Sequence, residues 1–295
     1  MKRLSKGGYP LSDKRIVDGV AYDRVSTIAS CLPQDMFYAG ADMASKGAVK
    51  IASDVIKGHI VVESRERWLM SENFAKWVKG EATRQKQAAA DRGTIVGWLF
   101  DAIVQDGPMG PGDIADWLQG VFDQRPEEAA MRYDQWDEAA EMGLTMGDEK
   151  PRRGWQCSFA DVLPFAAQLG AWFDTGPDLV IKTLQPQLVC KKSRVAGRPD
   201  FLGTWNGLKV VGDLKTSSSS QPSRYHRCQL AKYAGMARSN GMNIIVTPTS
   251  VWVRVLSPQG KRLGLLDFRL AHAIYKGDSM KGSYYTSATS KKVCA

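Results

Sequence analysis

The chain is poor in the residues that build metal clusters and disulfide frameworks. Its 295 residues include five cysteines, Cys31, Cys157, Cys190, Cys228 and Cys294, and none of them forms a Cys-x-x-Cys pair. That scatter argues against a zinc site and against a disulfide scaffold. The three histidines, His59, His226 and His272, make no metal-binding spacing either. No apolar run reaches the length of about 18 residues that a membrane span needs, so none is expected. The first ten residues are basic but lack an apolar stretch, so no signal peptide is expected and a cytoplasmic location is. No internal repeat is present.

What the chain does have is core-forming material and unevenly placed charge. Hydrophobic residues make up 43% of it, which suits one large domain or two small ones. The net charge is +9, yet residues 101–150 carry 13 Asp and Glu against 3 Lys and Arg. A basic body with one acidic segment suits a polyanionic partner, although a merely soluble basic protein has the same balance.

The most informative stretch is 197–217. Residues 201–205 read as a strand, Asn206-Gly207 as a tight turn and 208–214 as the return strand, because both turn residues tolerate positive φ. Asp213 and Lys215 are two apart on the return strand and share a face. The turn also carries Asp200 back towards Asp213. Two carboxylates and an ammonium at one sheet edge suit a divalent cation held beside a phosphate. A surface hairpin with an incidental salt bridge is the plainer alternative.

Pro199-Asp200 followed by Asp213-Leu214-Lys215 resembles the PD-(D/E)XK nuclease superfamily. Gln229-Leu230-Ala231-Lys232-Tyr233 resembles the Gln-x-x-x-Tyr signature of its RecB-like branch, which includes phage lambda-type exonucleases. Arg92-Gly93-Thr94-Ile95-Val96-Gly97-Trp98-Leu99-Phe100-Asp101 resembles that branch's first motif, Gly-Thr-x-x-His with an acid four residues on. Gly93, Thr94 and Asp101 are kept, but Gly97 stands where the family has its histidine. Relatives often carry a glutamate in the strand before the hairpin, where this chain has Gln185 and Gln187.

The resemblance implies an α/β protein with a restriction-endonuclease-like core. That core is a mixed central β-sheet flanked by helices on both faces, with an N-terminal helical extension. Residues 1–84 form the basic lead-in and extension, and 85–275 the nuclease core with an acidic helical insertion at about 106–150. Residues 276–295 are a basic tail. The expected strands are 180–191, 201–205, 208–214 and 243–247, with further strands at 251–256 and 262–268. The turn between those last two is placed at 258–261. Expected helices are 86–105, 158–175 and 224–239, with others at 37–45, 48–55, 63–90 and 113–142 and a short one at 270–275. Ser158 and Asp161 look like a capping box.

The resemblance also implies site roles. Asp200, Asp213, Lys215, Gln229 and Tyr233 are the catalytic candidates. Asp101, Asp200, Asp213 and the Leu214 carbonyl are the candidate ligands for Mg²⁺, or Mn²⁺ in its place; Asp101 reads equally as a solvated helix residue. An iron–sulfur cluster is not expected, because the chain lacks the late cysteine cluster of relatives that carry one. Candidate phosphate contacts are Arg24, Thr216, Ser217, Arg224 and Arg227, with Ser26 and Thr27 beside Arg24. Helix caps and turn chemistry are the alternatives for these hydroxyls. A positive first turn at 224–227 runs against the helix dipole unless a phosphate lies there.

The function this implies is a metal-dependent DNA exonuclease that resects duplex ends in phage-type recombination or repair, in a bacterial or phage-infected cell. Such relatives work with a single-strand annealing protein and form rings, so an annealing partner and a homo-oligomer are expected alongside DNA. A structure-specific or restriction-type endonuclease, and a non-catalytic DNA-binding module on the same fold, are the alternatives.

Overall fold

Asn206 and Gly207 take φ of 47° and 73°, the left-handed pair that a two-residue hairpin turn needs. They join β6 (Phe201–Trp205) to β7 (Leu208–Thr216), with Trp205 opposite Leu208 and Phe201 opposite Gly212. Gly212 is required there. A Cβ on it would fall 1.9 Å from the Phe201 ring, which lies across the strand. The computed structural model describes residues 14–32, 45, 48–53, 57, 72–124 and 154–276.

This hairpin is the centre of a five-stranded sheet in the order β3-β6-β7-β8-β9. β3 is Leu179–Leu184, β8 is Asn240–Val246 and β9 is Val251–Val255. β7 and β8 are parallel, and the other neighbours are antiparallel. A parallel pair needs a crossover, which is the helix Arg224–Ala237 between them.

Alternation along β7 gives the sheet two buried faces. Val210 and Leu214 point to one side, where Met242 and Ile244 join Ile95, Leu99, Phe100 and Leu169. Those partners come from α2 (Glu72–Asp106) and α4 (Phe159–Asp174), with α3 (Pro111–Gln124) packed beside them. Val211 points to the other side, towards Cys228, Tyr233 and Ala234 of α5 (Arg224–Ala237). Behind α5 lie α1 (Val25–Ala29) and α6 (Pro258–Tyr275). Serines start three helices: Ser158 makes a full capping box with Asp161, and Ser223 and Ser257 accept from His226 and Gly260.

A second, four-stranded sheet has the order β1-β2-β5-β4. β1 (Lys14–Val17) and β2 (Val20–Arg24) are an antiparallel hairpin closed by Asp18-Gly19, both at positive φ. β2 runs parallel to β5 (Val195–Gly197), which pairs with β4 (Leu188–Cys190). The architecture is therefore mixed α/β, two mixed sheets flanked by helices, the class expected from the sequence.

Several elements depart from expectation. The strand expected over 180–191 is two strands in two sheets. Gln185 turns the chain at φ 47°, and its N–H bonds to the Asp200 carbonyl at 2.6 Å. The strand expected over 262–268 is helix, part of α6. Its buried residues Gly264, Phe268, Ala271 and Tyr275 follow the helical period, and the turn expected over 258–261 is its first turn, capped by Ser257. The helix expected over 86–105 begins earlier, at Glu72. The lead-in holds the β1–β2 hairpin rather than only loose chain. Residues 37–44 of the helix expected over 37–45, residues 63–71 of that expected over 63–90, the acidic segment over 125–150 and the tail over 277–295 lie outside the described residues.

Candidate active site

Asp200 sits just before β6. Its N–H bonds to the Gly212 carbonyl at 3.0 Å, and its Oδ2 accepts the Leu214 N–H at 2.5 Å. The carboxylate therefore takes the place of a ladder partner where the hairpin ends. Asp213 is 3% exposed, and its Oδ2 lies 2.6 Å from Nζ of Lys215. Burial, and then the negative charge of Asp213, push the Asp200 carboxyl up to about 7. Burial pulls the Lys215 ammonium down, but Asp213 and Asp200 outweigh it and hold it above its usual value. The lysine is thus a firmly charged cation.

Asp101 reaches the same place from α2. Its Oδ2 accepts from Gln185 Nε2 at 2.5 Å, so the chain reversal at Gln185 braces it. Burial raises its carboxyl, against Gln185 and the positive charge of Arg198. Asp101, Gln185, Asp200 and Leu214 line one cavity of about 170 Å³, closed on the α2 side by Gly93 and Gly97. A Cβ at Gly97 would meet nothing within 4 Å, so the position of the missing histidine opens on free space.

These donors suit a hard divalent cation. Burial first and the charge of Asp213 second keep the Asp200 carboxyl from ionising readily, and a cation at the site would offset both. Asp213 Oδ2 has no hydrogen-bond partner beyond its ion contact with Lys215. Asp200, Asp213, Asp101 and the Leu214 carbonyl are the candidate all-oxygen set, of which Asp101, Asp200 and Leu214 line the cavity and Asp213 does not. Among the described residues, no three acid, histidine or cysteine side chains cluster tightly enough to hold a metal alone. The set thus depends on the backbone carbonyl and on water or substrate oxygens.

α5 lies over the other side of the pair. Gln229 and Tyr233 are one turn apart, and Gln229 Nε2 donates to the Tyr233 hydroxyl at 3.1 Å inside the protein. Tyr233 fits because residue 197 is glycine, where a Cβ would fall 2.3 Å from its ring. Burial and Asp213 raise the Tyr233 hydroxyl. In the first turn, burial and then the Lys215 charge lower His226 to about 4, so its imidazole is neutral. Burial raises the Tyr225 hydroxyl, with Lys215 opposing.

The candidate phosphate contacts separate into groups. Thr216 lies against α2, its Oγ1 3.3 Å from where a Gly93 Cβ would stand. Ser217 is occupied in its own turn: its Oγ accepts from the Ser219 N–H at 3.0 Å and its N–H bonds to Val246. Arg224 makes a two-pronged ion pair with Asp267 of α6, Nε to Oδ2 at 3.1 Å and Nη2 to Oδ1. Arg227 is exposed, and its backbone packs on α6 at Gly264. The structure does not bring Arg224 or Arg227 to the cavity. Ser26 and Thr27 lie inside α1, whose N-cap position Arg24 occupies without a side-chain cap bond.

Arg24 is exposed and has company that the sequence did not reveal. Arg15 has its pKa lowered by burial and by the charges of Arg198 and Arg24, so these guanidiniums stand near one another. Arg198 also acts on Asp101, which links this group to the cavity. The sign of Arg198 was in plain view, one residue before Pro199-Asp200. Arg15 depends on the β1–β2 hairpin, whose signal was Asp18-Gly19 between short apolar stretches. At Gln185 the local signal was Pro186 directly after it, which breaks a strand, whereas its partner Asp101, 84 residues away, left no mark in the local pattern.

Comparison with known proteins identifies the family. A family model for the PD-(D/E)XK nuclease superfamily matches residues 65–285. No curated protein matches the sequence. Among solved structures, the crystal structure of SSO0001 aligns at 15% identity over 60% of this chain and 87% of its own. The TM-score of that alignment is 0.24, too low for a shared overall fold to follow.

Proposed function

Since the chain belongs to the PD-(D/E)XK nuclease superfamily, whose members are generally metal-dependent nucleases, we propose that it hydrolyses DNA phosphodiester bonds at the Asp200–Asp213–Lys215 site. The observation that carries this reading is the Lys215 ammonium held 2.6 Å from a buried carboxylate, next to a second carboxylate raised to about 7. No helix among the described residues is long and apolar enough to cross a membrane.

Asp200, Asp213, the Leu214 carbonyl and Asp101 would hold Mg²⁺ or Mn²⁺. When bound, the cation polarises the scissile phosphate and makes a bound water acidic. Lys215 donates to the phosphate oxygens and stabilises the negative charge that grows on them. In the metal-free protein Asp213 and Asp200 keep it protonated, which favours this donor role. Gln229 and Tyr233 set the wall against which Asp213 and Lys215 are packed. Arg198, Arg24 and Arg15 place a positive patch beside the cavity for the DNA backbone.

The Gln229–Tyr233 hydrogen bond and the Gly93, Thr94 and Asp101 motif favour the RecB-like branch, and with it an exonuclease that resects duplex ends. A phage-type recombination or repair setting, with an annealing protein or a ring-shaped assembly, extends this reading. The test is one gel. The protein with Mg²⁺ is given 5′-labelled linear, 3′-labelled linear and closed circular DNA. Nucleotide release from linear DNA with circles intact is the expected result. Rapid nicking of circles instead means an endonuclease. No cleavage with either Mg²⁺ or Mn²⁺ means a binding module.

A further inference from the structure

Asn243 is a polar residue in the middle of an apolar strand. β8 reads Asn-Gly-Met-Asn-Ile-Ile-Val, and Asn243 is 0% exposed. Neither its Oδ1 nor its Nδ2 has a hydrogen-bond partner in the protein. A buried carboxamide left unpaired costs stability, and leucine would fill the position without that cost. The fold therefore gives no reason for asparagine here.

The parallel register supplies one. Asp213 and Asn243 are Cα partners on neighbouring strands, which lie about 4.8 Å apart. Both point towards α5: Val211 and Gly241 are the preceding residues of the same parity, and both meet α5, Gly241 at Leu230. Gln229 in the same layer has committed its Nε2 to Tyr233, and its Oε1 is also unpaired. Asp213 thus has Lys215 as its cationic partner and the Asn243 amide as the uncommitted donor beside it.

We propose that Asn243 is a positioning residue for Asp213. On the nuclease reading, Lys215 must turn its ammonium from Asp213 to the phosphate when DNA binds. Asp213 then needs a second donor to keep its carboxylate aimed at the cation, and Nδ2 of Asn243 is that donor. The amide is unpaired in the free protein because Lys215 still occupies the carboxylate.

The experiment compares wild type with Asn243→Leu, which deletes both amide groups at nearly constant volume, and with Asn243→Ser, which restores a hydroxyl donor. Three quantities are measured: melting temperature in EDTA, Mn²⁺ affinity by calorimetry without DNA, and kcat and KM on linear DNA. Asn243→Leu is expected to melt at or above the wild-type temperature. Its Mn²⁺ affinity and kcat are each expected to fall about tenfold or more, with KM for DNA unchanged, and Asn243→Ser to recover part of the loss. Wild-type Mn²⁺ affinity and kcat in the leucine variant would overturn the proposal. So would a loss that merely follows a lowered folded fraction in both variants. If the wild-type protein does not cut DNA, the nuclease reading fails, and the Mn²⁺ titration still decides the role of Asn243.

Discussion

Lys215 and Asp213 share one face of β7, with Nζ 2.6 Å from Oδ2, and the acid helps to keep the lysine charged. The acid fixes the lysine as a cation, and the lysine offsets the cost of burying the acid. Lys215→Met should therefore lower kcat by about 10²–10³-fold, the cost of losing one transition-state donor. The loss should be of similar size from pH 6 to pH 9. A lysine acting as base would instead give wild-type activity that climbs steeply with pH through that range. Single-turnover cleavage with circular dichroism on the same samples checks both the rate and the fold. Asp213→Asn should be equally inactive, and wild-type cutting by either variant would remove the assignment.

Asp200 makes cation binding depend on pH. Its carboxyl is raised from 3.8 to about 7 by burial and then by Asp213. A raised acid contributes stability that is fully present below about 3.8 and is lost as pH rises through about 7. The metal-free protein should thus lose melting temperature between pH 5 and pH 8, and Mg²⁺ or Mn²⁺ should restore more of it at pH 8 than at pH 6. Protons and the cation compete for one site, so affinity should rise up to about tenfold per pH unit below 7. Asp200→Asn should flatten this dependence. A metal-induced shift in melting temperature as large at pH 5.5 as at pH 8 in wild type would contradict the account.

Asp23 ties the two ends of the described chain together. It is 3% exposed and bonds to Lys14 on β1, to Lys276 Nζ at 2.7 Å and to the Tyr275 hydroxyl at 3.2 Å. His272 Nε2 stands 3.9 Å away. Burial pushes this carboxyl up, but the bonds from Lys14 and Lys276 outweigh it and hold it below its usual value. Its stabilising contribution is present above the unfolded pKa of an aspartate and is lost as pH falls through the folded one. Asp23→Ala removes the buried acceptor that Lys14, Lys276 and the Tyr275 hydroxyl share and should cost about 3 kcal/mol, read by urea denaturation at pH 7. Hydrogen exchange should show β1 and β2 opening first. Since that hairpin carries Arg15 and Arg24, affinity for DNA should fall more than kcat. A variant with unchanged stability would show that the carboxylate does not hold the hairpin.

Legibility followed sequence separation and turn chemistry. The β6–β7 hairpin was readable because Asn206-Gly207 is a local signal with a steric cause, and α5 because its buried residues keep a helical period. Residues 262–268 misled because Leu263 and Leu265, like Leu266 and Phe268, are apolar pairs two apart, the spacing of one strand face. The helix was decided by Ser257-Pro258 at its start and by burial against α5 and α1. The break at Gln185 did have a local signal, Pro186 directly after it, which a continuous inner strand does not accommodate, and its bonds to Asp200 and Asp101 fix the turn. Arg224 pairs with Asp267, 43 residues away, a partner that no local pattern shows. The two strand errors had proline signals beside them, Pro186 and Pro258, that the apolar pattern masked.

Gly97 is where the sequence departs from its family pattern and where the structure says what the departure left behind. The residue faces the cavity shared with Asp101, Asp200 and Leu214, and a Cβ there meets nothing within 4 Å. The Cβ of Gly97→His therefore displaces no neighbour, and the cavity lies beside it. It also replaces a glycine inside α2, which should raise stability by about 0.5 kcal/mol through the lost freedom of the unfolded chain. Imidazole is a good ligand for Mn²⁺ and a poor one for Mg²⁺, so the variant should bind Mn²⁺ about tenfold more tightly and Mg²⁺ about as before. Calorimetry with each ion, in protein without DNA, separates the two effects. If Gly97→His folds and binds Mn²⁺ no better than wild type, the cation is not held on the α2 side of the site. The donors would then be Asp200, Asp213 and the Leu214 carbonyl without Asp101.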